Sequence, residues 1–309
     1  METDIWNGCE KPDLRRMTTT LRRFLAHRTC STSCAPGPRI SIITPSLNQA
    51  RYLERTLLSI LNQGYANLEL IVVDGGSTDG SVDILRQYSD ALAHWSSEPD
   101  RGQSHAINKG LGRVTGQWIA FQNSDDILLP GALKEVARIQ ETMPDADVVT
   151  GHMVHIDSTS VVFDVQLALQ PSVEMQIALG GQLHNQATFW RRDLMLELGG
   201  MRQDMKFCFD YEYFTRMLLY AKHPVVSDRY LGAFRRHKES KTTTMLSVGK
   251  EEHAMAVAQF RRTTRLPLHF RWAPKRLLRA VRGFQHLLQG RGWYLTRRLP
   301  PPVGIGARH

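Results

Sequence analysis

Residues 39–80, RISIITPSLNQARYLERTLLSILNQGYANLELIVVDGGSTDG, decide the predicted fold. Residues 40–44 are a short β-branched run that ends at a proline, which predicts a buried strand. Residues 51–63 place leucine and isoleucine at helical spacing, and a glycine follows them. Residues 68–73, LELIVV, predict a second buried strand. The stretch therefore predicts a strand–helix–strand unit.

The same alternation continues beyond this unit. Helices are predicted at 81–88 and 104–113, and strands at 91–96 and 117–122. Strands that alternate with helices indicate an α/β fold, a mostly parallel sheet with helices on both faces. In such sheets ligands bind beyond the carboxyl ends of the strands. Four polar clusters follow the predicted strands at those ends: 45–49, 74–79, 98–103 and 123–126.

The second half of the chain is predicted to be more mixed. Residues 148–156 and 161–165 predict a hairpin around the turn 157–160. A helix is predicted at 211–222. Two further short strands are predicted at 187–190 and 230–234. No internal repeat is evident.

The charge of the chain is concentrated at one end. The formal net charge is +9, from 39 Lys and Arg against 30 Asp and Glu. Residues 261–309 hold 12 of the basic residues and no acidic one, so residues 1–260 carry a balance of −3. This distribution excludes a protein that is basic throughout, and a nucleic-acid partner is not expected. Within a helical basic tail, 246–309, residues 274–288 predict an amphipathic helix suited to an anionic membrane surface or to packing on the body.

The start of the chain is predicted to be an extension. Residues 1–38 show weak periodicity, which predicts partial disorder. They lack the apolar stretch of a secretory signal, and no run of the chain is long enough to span a membrane. Cys30 and Cys34 have no second Cys/His pair nearby, so reduced thiols are expected rather than a zinc site. A cytoplasmic protein, peripheral at the inner face of the cell membrane if its tail binds there, is expected.

Residues 123–126, Asn-Ser-Asp-Asp, could hold a metal ion. Two adjacent carboxylates at the end of a strand repel each other unless they are solvated or share a cation. Hard oxygen ligands of this kind suit Mg²⁺ or Mn²⁺. Taken alone, such a cluster is more often an acidic turn or a helix N-cap.

Three further positions allow both a binding and a structural interpretation. Asp74 precedes two glycines and could contact a base or ribose, or could bond to its own loop in an Asx turn. Arg101 and Lys109 could steer a diphosphate, or could be ordinary surface charges. No dinucleotide fingerprint and no P-loop motif is present.

Two residues of the second half could carry chemistry. Asp210 has apolar neighbours that would raise its pKa and suit it to general-base work, and it could also cap the following helix. His237 could be a metal ligand or a phosphate contact, although a lone histidine is more often structural.

In this order the clusters resemble glycosyltransferase family 2, inverting enzymes with the GT-A fold. The resemblance rests on residues 40–81, SSEPDRGQSHAINKGL, TGQWIAFQNSDDILLPGAL, HNQATFWRRDL, FDYEYFTRM and FRRHKES. It spans about residues 39–240.

The resemblance implies a nucleotide-sugar donor, a divalent metal, Mn²⁺ or Mg²⁺, and a single displacement at the anomeric carbon. It assigns Asp210 as the catalytic base and places Asp125, Asp126 and His237 at the metal. The implied donor-binding residues are Thr44, Pro45, Ser46, Asp74, Arg101, Asn108, Lys109, Ser124 and Asp125. The chain departs from the family pattern at Asn123 and Phe209, where relatives carry acidic residues, and at His105, where Asp is expected.

These observations predict a GT-A catalytic domain over residues 39–245, with a nucleotide-sugar half, 39–126, and an acceptor half, 127–245. The expected function is metal-dependent transfer of a sugar, with inversion, to a glycan or lipid-linked hydroxyl in bacterial surface polysaccharide synthesis. One alternative is an inactive relative that binds sugar nucleotides or scaffolds an assembly. A second is a nucleotidyltransferase, although the basic glycine-rich loop expected for one is missing from residues 45–49.

Overall fold

The computed structural model describes residues 12–26, 37–264, 275–289, 291 and 294–295. Nine strands within these residues form one sheet. The strands are β1 (Ile40–Ser46), β2 (Leu68–Asp74), β3 (His94–Ser97), β4 (Trp118–Phe121), β5 (Ile127–Leu128), β6 (Val148–Ile156), β7 (Val162–Gln166), β8 (Thr188–Arg191) and β9 (Pro224–Arg235).

Eleven α-helices surround the sheet within the described residues. They are α1 (Leu14–Ala26), α2 (Ala50–Leu61), α3 (Ser81–Gln87), α4 (Gln103–Leu111), α5 (Ala132–Thr142), α6 (Val173–Leu179), α7 (Arg192–Leu198), α8 (Phe209–Tyr220), α9 (Lys241–Thr244), α10 (Leu246–Thr263) and α11 (Lys275–Leu288). The mostly parallel α/β prediction is confirmed.

The sheet order is β3-β2-β1-β4-β8-β6-β9-β5, and β7 pairs with β6 outside this path. Strands β1 to β4 form a parallel half, and antiparallel β8 joins it to the mixed half. Ser46 pairs in register with Asp74, which in turn pairs with Ser97. The carboxyl ends of these three strands therefore meet at one edge of the sheet.

Alternation along β1 fills two cores. Ile43 faces α4 and α8, whereas Ile40 and Ile42 pack with α2 and α5. Helix α4 lies very close to β1, since a Cβ atom added to Gly110 would be 2.4 Å from a methyl carbon of Ile43. Glycine at this position therefore lets the last turn of α4 pack directly against β1.

Helix α1 lies inside the segment that we predicted to be an extension. Its Met17 and Leu21 are buried against β6 and β7, and Thr18 Oγ1 accepts a hydrogen bond from the backbone N–H of Val162 at 2.9 Å. The polar run TTT and the surrounding arginines conceal this short apolar stripe in the sequence. The flanking residues 1–11 and 27–36 lie outside the described residues, as does the Cys30–Cys34 pair.

The helices of the tail differ in how they pack. Helix α10 buries Gly249, Glu252, Ala256 and Phe260. Helix α11 confirms the amphipathic helix predicted at 274–288, and its Leu278 packs against Met175 and Ala178 of α6. None of the described helices combines the length and the apolar character needed to cross a bilayer.

Candidate active site

A cavity of about 540 Å³ lies at the carboxyl edge of the parallel half. The loop after β1, the loop before α4 and the loop after β4 form one side of it. Residues 203–206 and 239–245 contribute the other side. Lining residues include Pro45, Ser46, Leu47, Asp100, Arg101, Gln103, Ser124, Asp125, Gln203, Glu239, Lys241 and Met245.

The end of β1 carries two hydroxyl groups. Ser46 lines the cavity, whereas Thr44, two residues earlier on the same strand, does not. Both side chains are buried, and neither hydroxyl has a hydrogen-bond partner among the described residues. Buried hydroxyls are normally paired, so the Ser46 hydroxyl is suited to contact a ligand in the cavity.

Asp74 is buried and bonded mainly to its own loop. Its carboxylate accepts hydrogen bonds from Ser77 N at 2.8 Å and Ser77 Oγ at 2.5 Å. It also accepts from Gly76 N at 3.1 Å and Ser97 Oγ at 2.7 Å. The structure therefore shows the Asx-turn alternative for Asp74, which does not line the cavity.

Arg101 reaches across the mouth of the cavity. Its guanidinium donates to Gln203 Oε1 at 2.8 Å, and its backbone N–H donates to Nδ1 of His105 at 3.1 Å. His105, one of the departures from the family pattern, thus supports the loop that carries Arg101.

Asn108 and Lys109 lie away from the cavity. The Asn108 amide bonds to the backbone N–H and C=O of Met201, both at 2.8 Å. Lys109 forms an ion pair with Glu98 at 3.0 Å. Both side chains stabilise the walls of the site from outside, although the sequence analysis placed them in contact with the donor.

Asp125 lines the cavity, and the buried side chain of His237 lies directly behind it without lining the cavity itself. Nε2 of His237 lies 3.0 Å from Oδ2 of Asp125. The His237 ring packs on Tyr52, with centroids 4.7 Å apart, and Tyr52 also lies beneath the guanidinium of Arg235. Packing therefore fixes the orientation of the imidazole.

The Asp125–His237 pair could bind a divalent cation whose remaining coordination positions are filled by a bound ligand. No group of three His, Cys, Asp or Glu side chains suited to a metal is found in the described parts of the chain. A carboxylate oxygen and an imidazole nitrogen are suitable donors for Mn²⁺, and such ions commonly take their remaining ligands from phosphate and water. Asp125 and His237 could thus hold a cation together with a diphosphate.

Asp126 has a structural environment instead. It is buried, and its Oδ1 accepts from the backbone N–H of Arg235 at 2.8 Å. Its Oδ2 accepts from Gln186 at 2.8 Å and Asn123 at 3.1 Å. Burial, together with the charge of Asp125, raises the pKa of Asp126 well above its usual range. The structure does not place Asp126 on the cavity with the metal pair, where the sequence analysis expected it, because backbone and amide donors already occupy its oxygens.

Asp210 lies in a second cavity of about 290 Å³. It is the second residue of α8, and Glu252 of α10 holds the turn before it by accepting from the backbone N–H groups of residues 206–208 at 2.7–2.8 Å. Burial raises the pKa of Asp210 to about 6. A carboxyl with this pKa can accept a proton near neutral pH.

The two cavities share a wall. Five residues line both of them: Gln103, Asn123, Phe234, Lys241 and Thr242. Lys241 Nζ donates to Gln103 Oε1 at 2.8 Å, and Gln103 Nε2 donates to Asn123 Oδ1 at 2.7 Å. No sequence pattern marked Lys241, and Gln103 was included only as the last residue of the polar cluster 98–103. The last segment of the family resemblance, FRRHKES, stops one residue before Lys241.

Residues 41–192 match the family model described as Glycosyl transferase family 2. The chain belongs to glycosyltransferase family 2. The match begins in β1 and ends at the first residue of α7, so it covers both strands that carry the proposed donor residues and the loop that carries Asp125. Asp210 and His237 lie beyond it.

Curated relatives of this glycosyltransferase agree with the family. A Bacillus subtilis protein named for teichuronic acid biosynthesis is 45% identical over 29% of this chain and 36% of its own. A Mycobacterium bovis PGL/p-HBAD biosynthesis glycosyltransferase is 29% identical over 63% of this chain and 74% of its own. The chain spans little more than a third of the length of the first curated relatives that it matches.

Solved structures share the fold of this glycosyltransferase. The mannosyltransferase PcManGT from Pyrobaculum calidifontis, in complex with GDP-Man and Mn²⁺, superposes with a TM-score of 0.58 at 22% identity. The superposition covers 91% of this chain and 79% of that one. At this identity the likeness establishes the GT-A fold alone.

Proposed function

We propose that this chain transfers a sugar from a nucleotide-sugar donor to an acceptor hydroxyl, with inversion at the anomeric carbon. The observation that carries the proposal is the pair of adjoining cavities. One is lined by Asp125, which His237 contacts from behind, and the other holds Asp210, whose pKa is raised to about 6. A donor in the first cavity and an acceptor in the second would meet at the shared wall.

The larger cavity suits the donor. Thr44, Pro45 and Ser46 would contact the nucleoside at the end of β1, and Asp74 would hold the neighbouring loop. Arg101, Ser124 and Asp125 lie farther along the cavity wall or its mouth, where they would meet the diphosphate. Asn108 and Lys109 are not proposed to contact the donor, because their side chains bind Met201 and Glu98.

Mn²⁺ or Mg²⁺ would be held by Asp125 and His237. When bound, such an ion supplies positive charge to a leaving diphosphate. The PcManGT complex contains Mn²⁺, which supports the same role for a divalent ion here. Asp126 would stabilise the loop of Asp125 rather than coordinate the ion.

Asp210 would act as the general base. It takes the proton of the acceptor hydroxyl while that oxygen bonds to the anomeric carbon, and the bond from this carbon to the diphosphate oxygen breaks with its electron pair staying on the diphosphate. A positioned base of this kind contributes about 10²–10⁴-fold in rate. A single displacement from the opposite face inverts the configuration.

The acceptor is proposed to be a glycan or a lipid-linked sugar of bacterial surface polysaccharide synthesis. Relatives named for teichuronic acid and for PGL/p-HBAD biosynthesis support this class. The basic tail supports an acceptor at a membrane, since α11 leaves Leu277, Phe284 and Leu288 57%, 58% and 72% exposed. We propose that this apolar stripe and its flanking arginines place the enzyme on the anionic inner face of the membrane.

A binding and turnover experiment tests the proposal. Thermal unfolding is measured with UDP-, GDP- and dTDP-sugars, with and without Mn²⁺, for the wild type and Asp210→Asn. We expect one donor class to raise the melting temperature of both proteins, and only the wild type to transfer or hydrolyse sugar efficiently.

The outcomes separate the alternatives. Donor binding without turnover in the wild type would favour an inactive sugar-nucleotide-binding relative. Turnover at the wild-type rate by Asp210→Asn would show that Asp210 is not the general base. Binding of none of the donors would overturn the donor site.

A further inference from the structure

The shared wall places an amine between the two carboxylates that the proposed function uses. Lys241 is the first residue of α9, and its Nζ lies 5.9 Å from the ring centroid of Phe209, the residue before Asp210. Burial lowers the pKa of Lys241, whereas the nearby carboxylates of Asp210, Asp100 and Asp125 raise it. Lys241 lines both cavities, Asp125 only the larger and Asp210 only the smaller, so the amine lies at the wall between the proposed base and the proposed metal ligand.

A compact turn relates Lys241 to His237. The hydroxyl of buried Ser240 donates to the backbone carbonyl of His237 at 2.8 Å, and Thr243 Oγ1 donates to the same carbonyl at 3.2 Å. These bonds close the turn on which both side chains are mounted. The turn therefore holds Lys241 at a defined position in the site, unlike a lysine on a free surface.

Amide groups, and not carboxylates, hold the amine of Lys241. Gln103 accepts its hydrogen bond, Asn123 orients Gln103, and Asp126 accepts from Asn123 at 3.1 Å. Asn123 stands where relatives carry an acidic residue. Within the described residues Lys241 makes no close ion pair, so its charge is available to an anion in the cleft.

The second cavity offers this cation no anionic ligand other than the base. Burial lowers the pKa of His184 to about 4, so its imidazole is neutral at pH 7. Gln166 and Asn185 beside it are neutral amides. In the proposed reaction the strongest negative charge develops on the departing diphosphate, which lies on the other side of the wall.

We propose that Lys241 binds the diphosphate of the donor and stabilises the charge that the leaving nucleoside diphosphate gains. This inference rests on the proposed function and assigns a residue to it. In the transfer step the electron pair of the broken bond goes to the diphosphate oxygen, and the Lys241 ammonium would offset that charge. Gln103 and Asn123 would be positioning residues that hold the amine at the wall.

Binding measurements with Lys241→Met test the first part of the proposal. Affinities for UDP, GDP and dTDP, and for the corresponding monophosphates, are measured by calorimetry with and without Mn²⁺. Lys238→Met is the matched control, because Lys238 is an exposed lysine three residues earlier that lines neither cavity. A hydrogen bond to a charged group is worth about 1.5–3 kcal/mol. We therefore expect Lys241→Met to lower the affinity for nucleoside diphosphates about tenfold or more and to leave the affinity for monophosphates unchanged.

Steady-state transfer tests the second part. Loss of a donor that stabilises developing charge typically costs about 10²–10³-fold in kcat, and we expect a loss of this order in Lys241→Met, partial recovery in Lys241→Arg and none in Lys238→Met. Equal diphosphate affinity and turnover within about threefold of wild type would overturn the assignment. A defect confined to the acceptor KM would overturn it too.

These outcomes differ from those that concern the proposed function. If the wild-type enzyme bound no nucleoside diphosphate, the donor site and the assignment of Lys241 would both fail. If it bound one and Lys241→Met bound it equally well, only the assignment of Lys241 would fail.

Discussion

His237 and Asp125 are 112 residues apart in the chain, and their side chains meet at 3.0 Å. The contact joins the loop after β4 to the end of β9. Beneath it, the buried guanidinium of Arg235 donates from Nε to the Asp125 carbonyl at 2.7 Å and from Nη1 to the Asp157 carbonyl at 2.9 Å. The loop that carries Asp125 is therefore held from both sides.

Neighbouring carboxylates in this loop should respond differently to substitution. Asp125→Asn removes a cavity-lining ligand, so we expect Mn²⁺ to lose its effect on donor binding while the melting temperature changes little. Asp126→Ala removes the acceptor of three hydrogen bonds from buried backbone and amide donors, which should lower the free energy of unfolding by about 1–3 kcal/mol. Urea denaturation and Mn²⁺ titration measure the two effects. Equal responses of both variants would contradict the separate roles.

The pH dependence of turnover should report Asp210. Its pKa is raised by burial to about 6, and a general base works only in its deprotonated form. We therefore expect kcat to rise with pH through about 6 and then to level off. A profile of kcat from pH 5 to 8 at saturating donor and acceptor measures this. A pH-independent kcat across that range would contradict the role of Asp210.

Glu252 should stabilise the turn that leads into α8. Burial alone would raise its pKa, but hydrogen bonds from the backbone N–H groups of residues 206–208 hold it below its usual range. Glu252→Gln is expected to lower the free energy of unfolding by about 2–3 kcal/mol, and to reduce turnover because Asp210 follows this turn. The contribution of the Glu252 carboxylate to the free energy of unfolding should be lost as the pH falls through its lowered pKa. Glu251→Gln, an exposed neighbour, is the matched control in thermal unfolding.

The exposed face of α11 should determine membrane binding. Phe284→Glu places a charge in the apolar stripe and should weaken binding to vesicles with anionic lipids about tenfold or more. Leu196→Glu is the control, since Leu196 of α7 is 60% exposed, much like Phe284. Each basic residue near such a surface contributes about 1 kcal/mol, so added salt should weaken wild-type binding. Co-sedimentation measures both effects, and equal binding of the two variants would mean that this face does not dock.

The parallel half of the fold was predictable because local patterns determine it. The β-branched runs of β1 and β2, the helical spacing of α2 and the polar clusters after the strands all lie within short windows. They led to Ser46, Ser124 and Asp125 on the cavity wall. The bounds of β6 were also predicted, while β9 is longer than the strand predicted at 230–234.

Other parts of the site depend on contacts that sequence patterns do not reveal. Asp125 and Asp126 are adjacent and chemically equal, and only the fold buries one among backbone and amide donors. Asn108 has the residue type of a ligand contact, yet it binds Met201. Lys241 belongs to no motif, and its place between the two cavities is evident only in the folded chain, where α9 packs beside Gln103. Long-range packing made each of these distinctions.

The wall of five residues between the cavities has a consequence for redesign of the enzyme. Five residues line both cavities: Gln103, Asn123, Phe234, Lys241 and Thr242. With the proposed donor and acceptor sites, a substitution there is expected to alter selectivity for both substrates together. Donor preference is better changed at Leu47 or Met245, which line only the larger cavity, and acceptor preference at Gln166 or Asn185, which line only the smaller one. Substitutions that change selectivity for only one of the two proposed substrates are therefore expected on the outer walls of the cavities.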